Sequence, residues 1–213
     1  MRIFIASLSH SFQKIWLENP ATYENNTEAI ENIISKALYS ELLGMASQGL
    51  IDTEVTKKMR FFANIAPEHL EIPSGILLSN TYEMAIQDLQ RVSHFKSPKD
   101  KLTMIVNACK LVNGMVWENS KNKAIPSGAD DFLPVLIFMT IKACPEMPNT
   151  HLNYLRELRS TELLKGYADY YLTAYESVLD FIERLDQSRL KISAEDYGTL
   201  FGGGDKDSDI LNY

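Results

Sequence analysis

An all-α fold is predicted for this chain by three observations. Apolar residues recur three and four positions apart along almost its whole length, while the period-two alternation of half-buried strands is nearly absent. The apolar stretches are also separated by proline, glycine and short polar residues, as at helix starts and stops. At 213 residues the chain can hold one globular domain, or a core with a smaller companion, around a sizeable buried interior.

In a first helix Ile5, Leu8, Phe12, Ile15 and Trp16 share one face, closed by Asn19 and Pro20. Its polar side carries too few Lys or Arg for a membrane-surface helix, so a place in a bundle is expected. Ile30, Ile33, Ile34, Ala37, Leu38 and Leu42 stripe a second helix, with Thr27 as N-cap and Gly44 near its end. A third carries Val55, Met59, Phe62 and Ile65 and stops at Pro67. After the connector "EHLEIPSG", Asn80 and Glu83 resemble the capping pair of a fourth, which turns Ile86, Leu89 and Val92 inward.

"SPKDKL" is the clearest helix start: Ser97 caps, Pro98 suits the first helical position, and Asp100 favours the positive end of the dipole. Leu102, Ile105, Val106, Cys109, Val112 and Val116 follow as its stripe, and "ENSKNKAIPSG" reads as a loop. From Phe132 to Ala143 nearly every residue is apolar, which predicts a central helix buried on all sides and ended by Cys144 and Pro145. A shorter helix holds Leu152, Leu155 and Leu158. Gly166 opens a long one, Ser193 and Asp196 cap a last short one, and "FGGGDKDSDILNY" reads as a loose tail.

Several functions are disfavoured. A net charge of −7 opposes sequence-independent nucleic-acid binding, which needs a basic surface. No apolar stretch reaches the roughly 20 residues that span a bilayer, and the amino end makes a poor signal peptide, so a soluble cytoplasmic chain is expected. Cys109 and Cys144 lack metal-ligand spacing and read as packed thiols. His10, His69, His94 and His151 are scattered. Asp205, Asp207 and Asp209 begin an EF-hand pattern that fails at Ile210.

Two features remain. Asp130 and Asp131 head the central helix, where either caps it and Pro134 falls in the first turn or just beyond. Two aspartates crowding one N-terminus account for the pair adequately. In the long helix Tyr171, Leu172, Tyr175, Val178, Leu179, Ile182 and Leu185 share a broad apolar face, leaving Tyr170, Thr173 and Ser177 on an edge outside it. Tyr170 there either packs on a neighbouring helix or meets a partner.

"SPKDKL", "GADDFLPVLIFMTIKACP" and "YADYYLTAYESVLDFIERLD", in this order, resemble the vacuolar-protein-sorting-nine (VPS-nine) domain, and "EHLEIP" fits as well. The resemblance covers about residues 25 to 200. That family exchanges guanine nucleotides on Rab-five-type endosomal GTPases. What it implies is an amino-terminal helical bundle over 1–95 packed on a layered helical exchange core over 96–200, with a flexible tail over 201–213, in one compact unit. It further implies that Asp130 is an acidic finger with Pro134 beside it, that Tyr170 and Thr173 grip the GTPase switch regions, and that Asp131 stays a cap. Tyr167 stands where the family commonly has Glu. The implied partner is a Rab-five-type GTPase, GDP-bound or nucleotide-free, for a cytoplasmic factor recruited to endosomal membranes without inserting in them. No cofactor, metal or covalent chemistry is implied. A helical docking module that binds a GTPase or another protein without exchange is the competing expectation.

Overall fold

The structure is a computed structural model that describes residues 7, 20–73, 75–76, 81–120 and 129–202. Among the described residues the chain forms helices α1 (Pro20–Ala37), α2 (Tyr39–Met45), α3 (Gly49–Phe61), α4 (Thr81–Arg91), α5 (Pro98–Ser120), α6 (Ala129–Ala143), α7 (Pro148–Leu158), α8 (Tyr167–Glu183) and α9 (Ala194–Phe201), with no strand. The all-α expectation is met. The stretch Ile5 to Trp16 apart from Ser7, the cap residue Asn80, residues 121–128 and the tail from 203 lie outside the described residues.

The main core is a continuous apolar cluster from Val55 to Phe201, and Leu42, Ala46, Tyr154 and Leu158 form a smaller one between α2 and α7. Two helices organise it: α6 packs on α3, α4, α5 and α8, and α5 on α1, α4, α6, α7 and α8. Within α6, Val135 to Ile141 are all buried, and the Thr140 hydroxyl is satisfied by donating to the Leu136 carbonyl at 2.8 Å. The seven residues assigned to the inner face of the long helix are buried as well, Leu185 lying just past the end of α8.

Around α1 the expectation is met only in part: Leu42 is buried and Ile34 packs against its cluster, but the rest of the stripe departs. The helix begins at Pro20, where the preceding one was to end, and Thr27 lies buried inside it instead of capping it. Ile33 is 68% exposed and Leu38 sits between α1 and α2, 44% exposed. The buried face is polar: Thr27, Glu31 and Ser35, four residues apart. Its complement is ionic. Arg159, at the end of α7, donates to Glu31 Oε1 at 2.7 Å and to Glu28 Oε1 at 2.9 Å, and the Ser160 amide donates to Glu31 Oε2 at 3.2 Å. A search for apolar periodicity is blind to such a face.

Other corrections are local. Asp131 is the third residue of α6, inside its first turn and not at its cap, and Pro134 is the sixth. Proline there cannot donate to the carbonyl of Asp130 four residues back, so that acceptor loses its intrahelical partner. A 3-10 turn at Pro67–Leu70 leads into "EHLEIPSG", and α5 absorbs "ENS" from the expected loop. Ser193 caps α9 as predicted, accepting from the Asp196 amide at 3.0 Å. Phe201, the first residue of the stretch read as tail, is only 5% exposed and packs on Phe61 and Phe62. The cap of α7 comes from far away in sequence: Met147 turns through a left-handed backbone (φ 44°), and buried Asp52 of α3 accepts from the Asn149 amide at 2.7 Å.

A buried amine joins α5 to α7. Lys101 is fully enclosed, donates to the Val92 carbonyl at 2.9 Å, and lies 3.2 Å from His151 Nδ1. Burial lowers the Lys101 pKa to about 7; burial and then the Lys101 charge lower that of His151 to about 3. An unfolded His151 takes up its proton near 6.5 while the folded one resists until about 3. Between those values the unfolded state binds more protons, so the His151 contribution to stability is complete above pH 6.5 and falls toward pH 3. Lys101 adds a rise of the same sign between about 7 and 10.5. Urea midpoints measured across the acid window are therefore expected to fall more steeply for the wild type than for His151→Gln. Parallel curves would remove His151 from the account.

Candidate functional site

Gly166 sets the direction in which α8 starts, with φ 60° and ψ −127°, a conformation that a Cβ would strain. Tyr167 and Tyr171 then stack at 6.4 Å between ring centroids, and the Tyr171 ring meets Phe132 of α6 at 6.1 Å. The starts of α6 and α8 thus lie side by side. One turn before Pro134, Asp130 belongs to the first turn of α6; its side chain lies outside the described residues.

Along α8, Tyr170 is 54% exposed, Thr173 and Ser177 are exposed, and Phe181 is half-buried on the same side, about 16 Å further along the axis from Tyr170. Tyr170 does touch its own chain, 5.3 Å from the Tyr171 ring, yet more than half of it faces outward. Phe181 opens onto a groove of about 630 Å³ whose opposite wall is Leu133, Pro134 and Ile137 of α6. His69 and Glu71 line it together with Arg189 and Lys191, and the two segments are joined there by a bond from the Lys191 amide to the His69 carbonyl at 2.9 Å. α6 is therefore apolar on all sides for two reasons. Most of it is core, and the edge at Leu133 and Pro134 is groove wall.

On its other flank α8 meets α7 through Arg156. The guanidinium donates to Asp169 Oδ1 at 2.9 Å, to Thr173 Oγ1 at 2.9 Å and to Glu176 Oε2 at 2.8 Å. The surface thus runs from the Pro134 groove across Tyr170 to the Arg156 seam. The structure brings Pro134 into the groove and leaves Tyr170 and Thr173 exposed on α8, the helix whose Phe181 lines that groove. Sequence reasoning passed over Phe181, although its outward register with Tyr170 was readable. Arg156 gave no signal, because its partners are defined only by how α7 packs on α8.

Among the described residues no group of three His, Cys, Asp or Glu side chains could hold a metal ion, and no helix is long and apolar enough to cross a membrane. A second groove of about 530 Å³ lies between α3 and the α6–α7 connection and contains none of the predicted residues.

The Vacuolar sorting protein 9 (VPS9) domain family matches residues 82–187, from the first turns of α4 to just past α8. The chain belongs to the VPS9 domain family. The match encloses the groove, the Tyr170 ridge and the Arg156 seam, and leaves α1 to α3 and α9 outside. The VPS9 chain is similar to Vacuolar protein sorting-associated protein 9A of Oryza sativa subsp. japonica, 31% identical over 82% of this chain and 37% of that protein. It is also similar to the Homo sapiens Rab5 GDP/GTP exchange factor, 28% identical over 86% of this chain and 38% of that protein. A third relative, vps901 of Schizosaccharomyces pombe, is 29% identical over 83% of this chain and 32% of that protein. This VPS9 chain thus spans about a third of the length of the curated relatives it matches.

Proposed function

We propose that this chain accelerates GDP release from a Rab GTPase of the Rab5 type, on endosomal membranes to which it is recruited from the cytoplasm. The observation that carries the reading is the continuous outward surface of α8 and the Pro134 groove in a VPS9 chain with a Rab5 GDP/GTP exchange factor among its relatives. In this reading the core over 96–200 acts with the bundle over 1–95 as one unit. The switch segments of the GTPase lie along Tyr170 and Thr173 and reach the apolar wall at Pro134.

Exchange needs no covalent step. A GTPase holds its nucleotide through Mg²⁺ and through backbone and lysine contacts to the phosphates. A factor that binds the empty GTPase better than the loaded one lowers the barrier to release by that difference, about 1.4 kcal/mol for each tenfold. Asp130 pairs with the phosphate-binding lysine and repels the phosphates. One such charge-assisted bond contributes roughly 1.5 to 3 kcal/mol, so the groove and the ridge must supply the rest by holding the switch segments away.

Release of a fluorescent GDP from a panel of endosomal Rab proteins tests this. Faster release from at least one Rab5-type member is expected. Binding without faster release would replace exchange by docking, the reading that an apolar groove beside an exposed aromatic also supports.

A further inference from the structure

We infer that Arg156 is a positioning residue of the exchange surface, which fixes the Thr173 hydroxyl as a hydrogen-bond donor toward a carbonyl of the partner GTPase. The inference rests on the exchange reading. Thr53, Thr103, Thr140 and Thr199, all in helices, donate to the carbonyl four residues earlier at 2.7, 2.8, 2.8 and 3.0 Å. Thr173 lies in the middle of α8, where the Asp169 carbonyl is placed for the same bond. Among the described residues its hydroxyl meets the Arg156 guanidinium instead, at 2.9 Å.

The chemistry of the two groups sets the direction. A threonine hydroxyl offers one donor and two acceptor sites, and a guanidinium only donates. Arg156 therefore takes a lone pair of Oγ1 and cannot receive the hydroxyl proton. With Thr173 exposed, that proton points to solvent or to whatever docks there. The counterpart it selects is an acceptor, such as a main-chain carbonyl of a switch segment.

Arg156 is itself held from two sides. Asp169 and Glu176 lie one turn before and one turn after Thr173, and each accepts from a different nitrogen of the planar fork. A lysine, with a single flexible ammonium, does not reproduce that arrangement. The carboxylates are about half exposed, at 51% and 46%, and exposed ion pairs contribute at most about 1 kcal/mol each. Cohesion between α7 and α8 comes instead from the shared apolar core, including Leu152, Leu155 and Leu172. Arg156 is thus dispensable for folding, while the orientation of Thr173 depends on it.

The test measures GDP release at increasing concentrations of this chain, giving kcat and KM for the wild type, Arg156→Met, Arg156→Lys, Thr173→Val, Thr173→Ser and the double variant Arg156→Met/Thr173→Val. Loss of one neutral hydrogen bond is expected to lower kcat/KM roughly three- to tenfold in Arg156→Met and in Thr173→Val. The double variant is expected to be no worse than either single one, because both remove the same bond. Thr173→Ser retains activity, Arg156→Lys does not restore it, and the melting temperature of Arg156→Met stays near that of the wild type. Multiplying losses in the double variant, or full activity of Arg156→Met where Thr173→Val is impaired, would overturn the inference. Failure of the exchange reading is distinct: the wild type then speeds release from no Rab protein. If it still binds one, the same cycle is read on Kd; if it binds none, the inference falls with that reading.

Discussion

Asp130→Ala is expected to slow GDP release by at least about tenfold, and by up to roughly a hundredfold, if the carboxylate contributes the 1.5 to 3 kcal/mol of a charge-assisted bond. Its fold should survive. The first turn of α6 keeps Asp131, which still meets the positive end of the helix dipole, so loss of one carboxylate there costs at most about 1 kcal/mol. Pro134 strengthens the case for a role outside the chain. It withholds the amide that would bond to the Asp130 carbonyl, so this turn of α6 is tied less firmly into the helix than an ordinary one. Asp130→Asn separates charge from shape and should resemble alanine. Thermal melts and release assays on the same preparations decide it: an unfolded Asp130→Ala would return the residue to helix start, and undiminished release would end the acidic-finger account.

How far the sequence could be read depended on what each helix buries. For α3, α5, α6, α7 and α8 the partner surface is apolar; residues such as Val55, Ile105, Leu155 and Ile182 announced themselves by spacing, and Leu136 by lying in a run apolar on all sides. α1 buries Glu31 against Arg159, 128 residues away, and no local pattern encodes a contact of that separation. The cap of α7 illustrates the same limit, since Asp52 reaches Asn149 from another helix. For the site, the outward register of Tyr170 and Thr173 was legible because it is a departure from the apolar stripe. The meaning of Thr173 was not, because it lies in the Arg156 guanidinium that packing sets beside it.

The second large effect is expected at that same helix end. Three residues after Arg156, Arg159 binds Glu31, and both side chains are nearly dry, 8% and 1% exposed. Burial raises the Glu31 pKa even with the Arg159 charge opposing it. Arg159→Leu would leave a buried carboxylate with only the Ser160 amide, and removing one member of such a pair costs about 3 to 5 kcal/mol. Because a raised carboxyl pKa favours the protonated folded form, stability from that group is present below its unfolded value of 4.5 and lost as pH rises through the folded one. The deficit of Arg159→Leu in urea midpoint should therefore narrow as pH falls toward 4.5. Glu31→Leu/Arg159→Leu should recover most of it at neutral pH, since two apolar side chains replace a buried ion pair at little or no cost. Equal deficits in the single and double variants would locate the loss in packing instead of in the stranded charge. The double variant also asks a functional question. One end of α7 ties α1 through Arg159 and the Thr173 ridge of α8 through Arg156. A well-folded double variant that releases GDP normally would mean that the ionic tie to α1 only supports the site, whereas slowed release with intact stability would make the tie part of how the ridge is held.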